Sequence, residues 1–361
     1  MKHTISLLLA LLIIFILSCT KHNEVTPTSI FTDSTHIKGK VTNVNLDNIN
    51  LPVRAIMIDS FLILKDLKAK AYNFHIINIH KEKLIKSFGK AGRGPKEIEI
   101  PLGFNINSRK GRNINTYART KKKLFCFNID SLLQNDQYEP CLVKRFKGNY
   151  LTPVLLQNNQ FISTGPFEKG RYRISDSSLK SHNFKYNYPN DPDKSNVPRP
   201  TKSMVYQGNY ALQPHGKYFA FAAGSCGVIE IFESKDETVE KIKNHHFYNP
   251  DYHVTSEKEM RAPINAKKNR NGFVDLCATQ KYLYALFSGR TFWEYRKKFA
   301  YGKDVLVFDW KGNPIMHYKL DKAVRCIGVD KTNSLLYAYA ALPEPSILKY
   351  SFLVHDKNIN I

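Results

Sequence analysis

An all-β fold, a six-bladed β-propeller, is predicted by two features: helical periodicity is nearly absent, and one hairpin plan recurs at roughly 50-residue intervals. Apolar runs of four to seven residues, rich in Ile, Val, Phe and Tyr, are separated by turns of Asn, Asp, Gly and Lys. In each hairpin a strand meets a polar turn and then a stronger strand. Residues 55–58 lead through 59–60 to 61–64, and 210–212 lead through 214–216 to 218–221. The same plan runs from 273–276 through 279–280 to 282–286, and from 324–327 through 330–333 to 335–339.

The spacing places blades at 51–100, 101–149, 150–200, 201–250, 270–321 and 322–355. The sixth is short by one strand. Residues 36–48 (His-Ile-Lys-Gly-Lys-Val and onward) supply a spare one, and closing the ring with both ends removes an exposed edge. Residues 188–200 carry Pro189, Pro192, Pro198 and Pro200 and read as a long surface loop. An insertion at 251–269 holds a capped helical turn at 256–261.

The front of the chain is a separate unit. Lys2 and His3 precede an apolar run over 5–17, and Leu17-Ser18-Cys19 follows. A basic start, an apolar core short of a bilayer span and small residues before the cut make a secretory signal. Cys19 after Leu-Ser reads as a lipidation site, so 1–18 is a signal peptide, 19–35 a lipidated polar tether and 36–361 the propeller. Two or more acyl chains hold a protein stably on a membrane. Thr20, in place of Asp, points to the outer membrane, with the periplasmic or surface face open.

The net charge of +23 comes mostly from Lys spread along the chain, with dense runs only at 121–123 and 266–270. That distribution reads as a solvated basic surface, or one that meets an acidic glycan or membrane, and the export signal argues against nucleic acid. Besides Cys19 there are five cysteines, an odd number, with no Cys-x-x-Cys. Their apolar, strand-like neighbours mark them mainly as small buried hydrophobes.

The most distinctive stretch is 89–97, Gly-Lys-Ala-Gly-Arg-Gly-Pro-Lys-Glu, between strand-like 83–88 and 98–101. Three glycines and a proline cannot propagate a helix, so the stretch reads as a fixed crossing between two pieces of sheet. It resembles the Gly-x-x-Gly-x-Gly-Pro-x-Glu link of TolB-like six-bladed β-propeller lipoproteins of Bacteroidetes. Further likeness lies in Lys202-Ser203-Met204-Val205-Tyr206-Gln207-Gly208, Leu286-Phe287-Ser288-Gly289-Arg290, the strand and turn at 305–313, and the hairpin at 324–340. The resemblance covers essentially the whole mature chain and implies fold and address. The family has no defined catalytic residues, so it implies none here.

Motif chemistry is sparse. The 89–97 loop lacks the Lys-Ser/Thr of a phosphate loop, and Pro95 removes a donor where a dinucleotide motif opens its helix. Asp191-Pro192-Asp193-Lys194-Ser195 opens like a calcium loop, yet Asn196 stands for its Gly and Lys202 for its Glu. His245, His246 and His253 have no partner at metal spacing, and Gly224-Ser225-Cys226-Gly227 is not a nucleophile elbow. No metal, cofactor or catalytic set is therefore expected.

The expected function is a binding or protein-interaction module working through one end of the central channel. Arg93, Lys202, Tyr206, Arg290 and Arg325 are the candidate ligand contacts, and an unknown protein or an acidic small molecule or glycan is the partner. Two alternatives stand beside it: an envelope glycan lyase or hydrolase in the axial cleft, and an accessory to a membrane transport or sensing partner.

Overall fold

The computed structural model describes residues 26–352 apart from 108, 111, 256–261 and 342. The signal segment, Cys19 and the turn expected at 256–261 lie outside the described residues.

Six sheets follow one another along the chain, at 52–90, 101–145, 154–185, 208–246, 273–324 and 326–351. They fall where the hairpin spacing puts them, and we number the blades one to six in that order. In each, the first strand is innermost and the rest step outward as an antiparallel meander. Pro52–Ile58, Pro101–Ile106, Gly208–Leu212, Phe273–Ala278 and Cys326–Val329 gather around the axis. Blade three contributes only the two-residue Val154–Leu155 there.

The core is divided among the seams between blades. Ile76 and Phe88 of blade one meet Phe104 and Phe127 of blade two. Tyr117 and Phe146 meet Phe161 of blade three, and Tyr172 meets Phe219 and Phe232 of blade four. Ile229 meets Leu283 and Phe308, Tyr284 meets Leu336 and Tyr350, and Tyr337 and Ile347 meet Leu62 and Ile77 to close the circle. Blades buried on both faces explain why their middle strands read as unbroken apolar runs rather than alternating ones.

The N-terminal segment closes the ring as expected and also covers a second edge. Only Lys40–Val41 completes blade six, pairing antiparallel with Ser346–Ser351. Ser34–Ile37 instead lies parallel to Pro314–Val324 as a fifth strand of blade five. One segment thus covers two adjacent outer edges. Gly39, between its halves, sits where a Cβ would fall 2.6 Å from the Tyr350 ring, and its N–H donates to Asp321 Oδ1 at 3.1 Å.

The glycine-rich stretch is the link from blade one to blade two. Gly89 is still in the outer strand Lys83–Lys90, and the next strand begins at Pro101 rather than at Ile98. The Glu97 carboxylate folds back to accept the Gly94 N–H at 2.8 Å and to pair with Lys90 at 3.0 Å. Gly92 adopts φ 147°, a backbone conformation that residues with a Cβ rarely take, and a Cβ there would also crowd that carboxylate at 2.1 Å. Lys121, from the first dense basic run, donates to the carbonyls of Gly94 and Glu97.

The proline-rich stretch is more ordered than a loop. It holds a 3-10 turn, Pro192–Lys194, and runs into the helix Arg199–Val205, with Pro200 in the first turn where its missing N–H costs nothing. The five described cysteines are free; Cys126, Cys226, Cys277 and Cys326 are buried, and Cys141 is exposed.

Candidate functional site

Three long connections lie at one end of the ring, the end where outer strands cross to the next innermost strand. They are the chain between blades three and four, the chain between blades four and five, and the loop 288–301 inside blade five. They wall a cavity of about 690 Å³ at the mouth of the channel. Its lining runs from Leu102 and Gly103 of blade two, through Thr152, Gln207 and Asn209, to Ser225, Asn269, Asn271, Phe292 and Phe299, with Lys65 reaching in from blade one.

Along the innermost strands the channel is layered. Gly103, Asn209 and Val274 line the wide mouth. One position deeper, the Phe104 and Tyr210 carbonyls and Asp275 meet the Arg54 guanidinium. Arg54 Nη1 pairs with Asp275 Oδ1 at 2.7 Å, and Nη2 donates to the Tyr210 carbonyl at 2.9 Å and the Phe104 carbonyl at 3.4 Å. Asp275 also accepts from the Ile327 N–H of blade six at 2.9 Å. Deeper again, Asn105, Ala211 and Leu276 line a space of only about 30 Å³. Arg54 and Asp275 therefore plug the channel and tie five blades together.

Lys65 is the side chain with unspent capacity. It is buried, with 8% of its surface accessible, and lies opposite Arg54 in the strand register. It makes no hydrogen bond or ion pair with any described residue. Burial pushes its amine down to about 8, the nearby Arg54 charge adds to this, and Asp275 opposes it. Burial pushes the Asp275 carboxyl up to about 6 against the pull of Arg54. Neighbouring Asp66, at the end of the strand that carries Lys65, holds the chain entering Pro52–Ile58 by accepting the N–H groups of Asn50 at 2.7 Å and Leu51 at 2.8 Å.

None of the five side chains singled out from the sequence lines this cavity. Arg93 is exposed on the first link and pairs with Glu99 at 2.5 Å. Lys202 lies in the helix Arg199–Val205, where burial pulls its amine down. Tyr206 caps that helix, donates to Asn249 Oδ1 at 3.0 Å and forms, with Tyr172, Tyr188 and Phe221, a set of rings 5.2–5.7 Å from the Arg171 guanidinium. That guanidinium is wholly buried and pairs with Glu230 at 2.7 Å.

Arg290 and Arg325 do converge, on one short segment. Arg290 donates to the Lys298 carbonyl at 3.2 Å and Arg325 to the Ala300 carbonyl at 3.4 Å. Both brace the cavity's rim. Lys65, Arg54 and Asp275 were missed; for Arg54 and Asp275 the signal was a single charge inside an otherwise apolar strand, whereas Lys65 stands beside Asp66 at the end of its strand.

A family model described as TolB-like 6-blade propeller-like matches residues 29–332. Among solved structures, a Bacteroides fragilis protein named as an exported protein aligns at 10% identity with a TM-score of 0.52, covering 91% of this chain and 97% of its own. A duf4221-family member from Bacteroides vulgatus aligns at 10% identity and a TM-score of 0.48, covering 88% and 96%. At such identity the likeness is one of fold. No curated protein matches the sequence.

Proposed function

The chain belongs to the TolB-like six-bladed propeller family, and on that premise we propose that it is a binding module of the cell envelope. Its ligand enters the wide mouth of the channel and places an anionic group against Lys65. The observation that carries this reading is a buried ammonium with no counter-ion in contact among the described residues, facing a cavity of ligand size lined by both apolar and polar side chains. The amides of Gln207, Asn209 and Asn271 offer neutral hydrogen bonds around it, which suits a hydroxyl-rich acid such as a uronic sugar. Cys19 carries the lipid, and Thr20 directs the protein to the outer membrane.

A lyase is the second reading, favoured by one observation. An amine pushed down to about 8 can accept a proton near neutral pH, as a base in β-elimination must. Lys65 is, however, the one titratable side chain among the described lining residues, and such a reaction needs an acid beside the base.

The test is calorimetric titration of a soluble chain beginning at Thr20 with galacturonate oligosaccharides and with their neutral glucose counterparts. A charge-assisted hydrogen bond is worth about 1.5–3 kcal/mol, so Lys65→Met should weaken acid binding about tenfold or more and leave any neutral binding unchanged. Equal affinity in Lys65→Met would remove the assignment. Appearance of an unsaturated product absorbing in the ultraviolet would transfer it to the lyase.

A further inference from the structure

The rim segment 290–300 (Arg-Thr-Phe-Trp-Glu-Tyr-Arg-Lys-Lys-Phe-Ala) does more than wall the cavity. Phe292, Trp293 and Tyr295 leave 41%, 50% and 43% of their surface in solvent. The segment is nonetheless firmly held. Besides the Arg290 and Arg325 bonds, Ser288 Oγ donates to the Phe299 carbonyl at 2.6 Å and the Trp293 N–H to the Ala266 carbonyl at 2.9 Å. Three large exposed rings on a braced lip mark an interaction surface rather than a frayed loop.

We infer that this lip docks on an anionic lipid surface. The stretches 266–270 and 290–300 together carry seven basic residues and one acid, Glu294. Their cations lie over the exposed rings: Lys267 Nζ and the Arg296 guanidinium are each 4.7 Å from the Trp293 centroid, and Arg290 is 4.8 Å from that of Tyr295. A sugar stacking on these rings would have to displace those cations. Ring edges flanked by cations instead match the headgroup region, where aromatics anchor and phosphates take the charge.

The end of the described chain supports the same occupant. Thr26 lines a cavity of about 280 Å³ together with Lys268, Asn269 and Arg270, in the stretch that lays Lys267 on Trp293. Thr26 is seven positions beyond Cys19, a reach of at most roughly 25 Å. This second argument rests on the lipidation proposed above; the surface chemistry does not.

The experiment uses the unlipidated chain beginning at Thr20, which keeps every described residue, so lipidation cannot influence the outcome. It is sedimented with phosphatidylcholine vesicles, with and without about one-third phosphatidylglycerol, at low and high salt. Binding is expected only to the anionic vesicles and is lost as salt screens it. Lys297→Ala and Lys298→Ala should each weaken it about fivefold. Trp310 is buried, so a blue shift of tryptophan emission on binding reports Trp293 and should vanish in Trp293→Phe. Lys65→Met, which tests the cavity, should leave vesicle binding unchanged. Binding that is absent, equal on neutral vesicles, or unaffected by the lysine substitutions overturns the inference, as does loss of binding in Lys65→Met. Binding of soluble polygalacturonate through Trp293 without vesicle binding would assign the lip to a glycan.

Discussion

Replacing Arg54 with Met removes the guanidinium that joins blade one to blades two, four and five across the axis, and leaves Asp275 buried with no cation in contact. Breaking a buried pair from one side costs about 3–5 kcal/mol, because the remaining charge keeps its desolvation penalty. The cost depends on pH. Asp275 already sits at about 6 against 3.8 for a free carboxyl, so the stability tied to its protonation is fully present below about 3.8 and is lost as pH rises through 6. Without Arg54 its folded value climbs further. At pH 5 the native carboxyl is mostly protonated, so the variant should be only slightly less stable there. At pH 8 the full deficit should develop. Urea unfolding of the chain beginning at Thr20 at the two pH values measures both. Arg54→Met/Asp275→Leu should recover most of the loss by removing the stranded charge. A deficit below about 1 kcal/mol at pH 8, the same deficit at both pH values, or a double variant no better than the single would refute the account of the axial plug.

Three further outcomes are expected. Metabolic labelling with a fatty-acid analogue should mark the native chain and not Cys19→Ala, and equal label would remove the lipid anchor. Affinity for an acidic ligand should hold at neutral pH and fall as pH rises through about 8, where the free protein's Lys65 loses its proton; a flat profile to pH 10 in calorimetry would dissociate Lys65 from binding. Cys126 and Cys141 face one another across neighbouring strands of blade two, at a separation strands hold near disulfide reach. Oxidised glutathione should join them, each thiol giving up one proton and one electron, and peptide mapping that finds both still free would exclude the bond.

The ring was legible because its signals are local. Apolar runs of strand length broken by turn residues do not depend on distant contacts, and in the first link Glu97 lies within a few residues of the glycines it packs on. The site was not legible for the opposite reason. Arg54 in Pro52–Ile58, Lys65 in Phe61–Asp66 and Asp275 in Phe273–Ala278 become a site only when blades one and five meet at the axis. Choosing Arg93, Arg290 and Arg325 from distinctive segments found bracing residues, since such segments are where the chain makes demanding turns. The N-terminal strand was placed one blade too simply: Gly39 lets the chain change sheets after Ile37, a step that strand propensity does not encode.

The arrangement also decides how the large positive charge is to be read. Hydrophobic seams are shared around the whole ring, whereas the lip and much of the cavity wall come from three insertions, one on each side of blade four and one inside blade five. Among the described lining residues of the cavity one cation, Lys65, stands among amides, hydroxyls and phenyl rings. A track for an extended polyanion needs successive cations along a groove, each paired to a successive charge. On the proposed reading, one ammonium in a bounded space suits instead a small ligand with one anionic group, its identity set by the neutral hydrogen bonds around it. Of the two dense basic runs, 266–270 has its basic residues outside the cavity beside the lip, where cations laid over exposed rings suit a surface contact. Discrimination and docking thus fall to different residues. Substitutions at Lys65 and at Lys297 should therefore act independently, each changing one binding event and adding in the double variant.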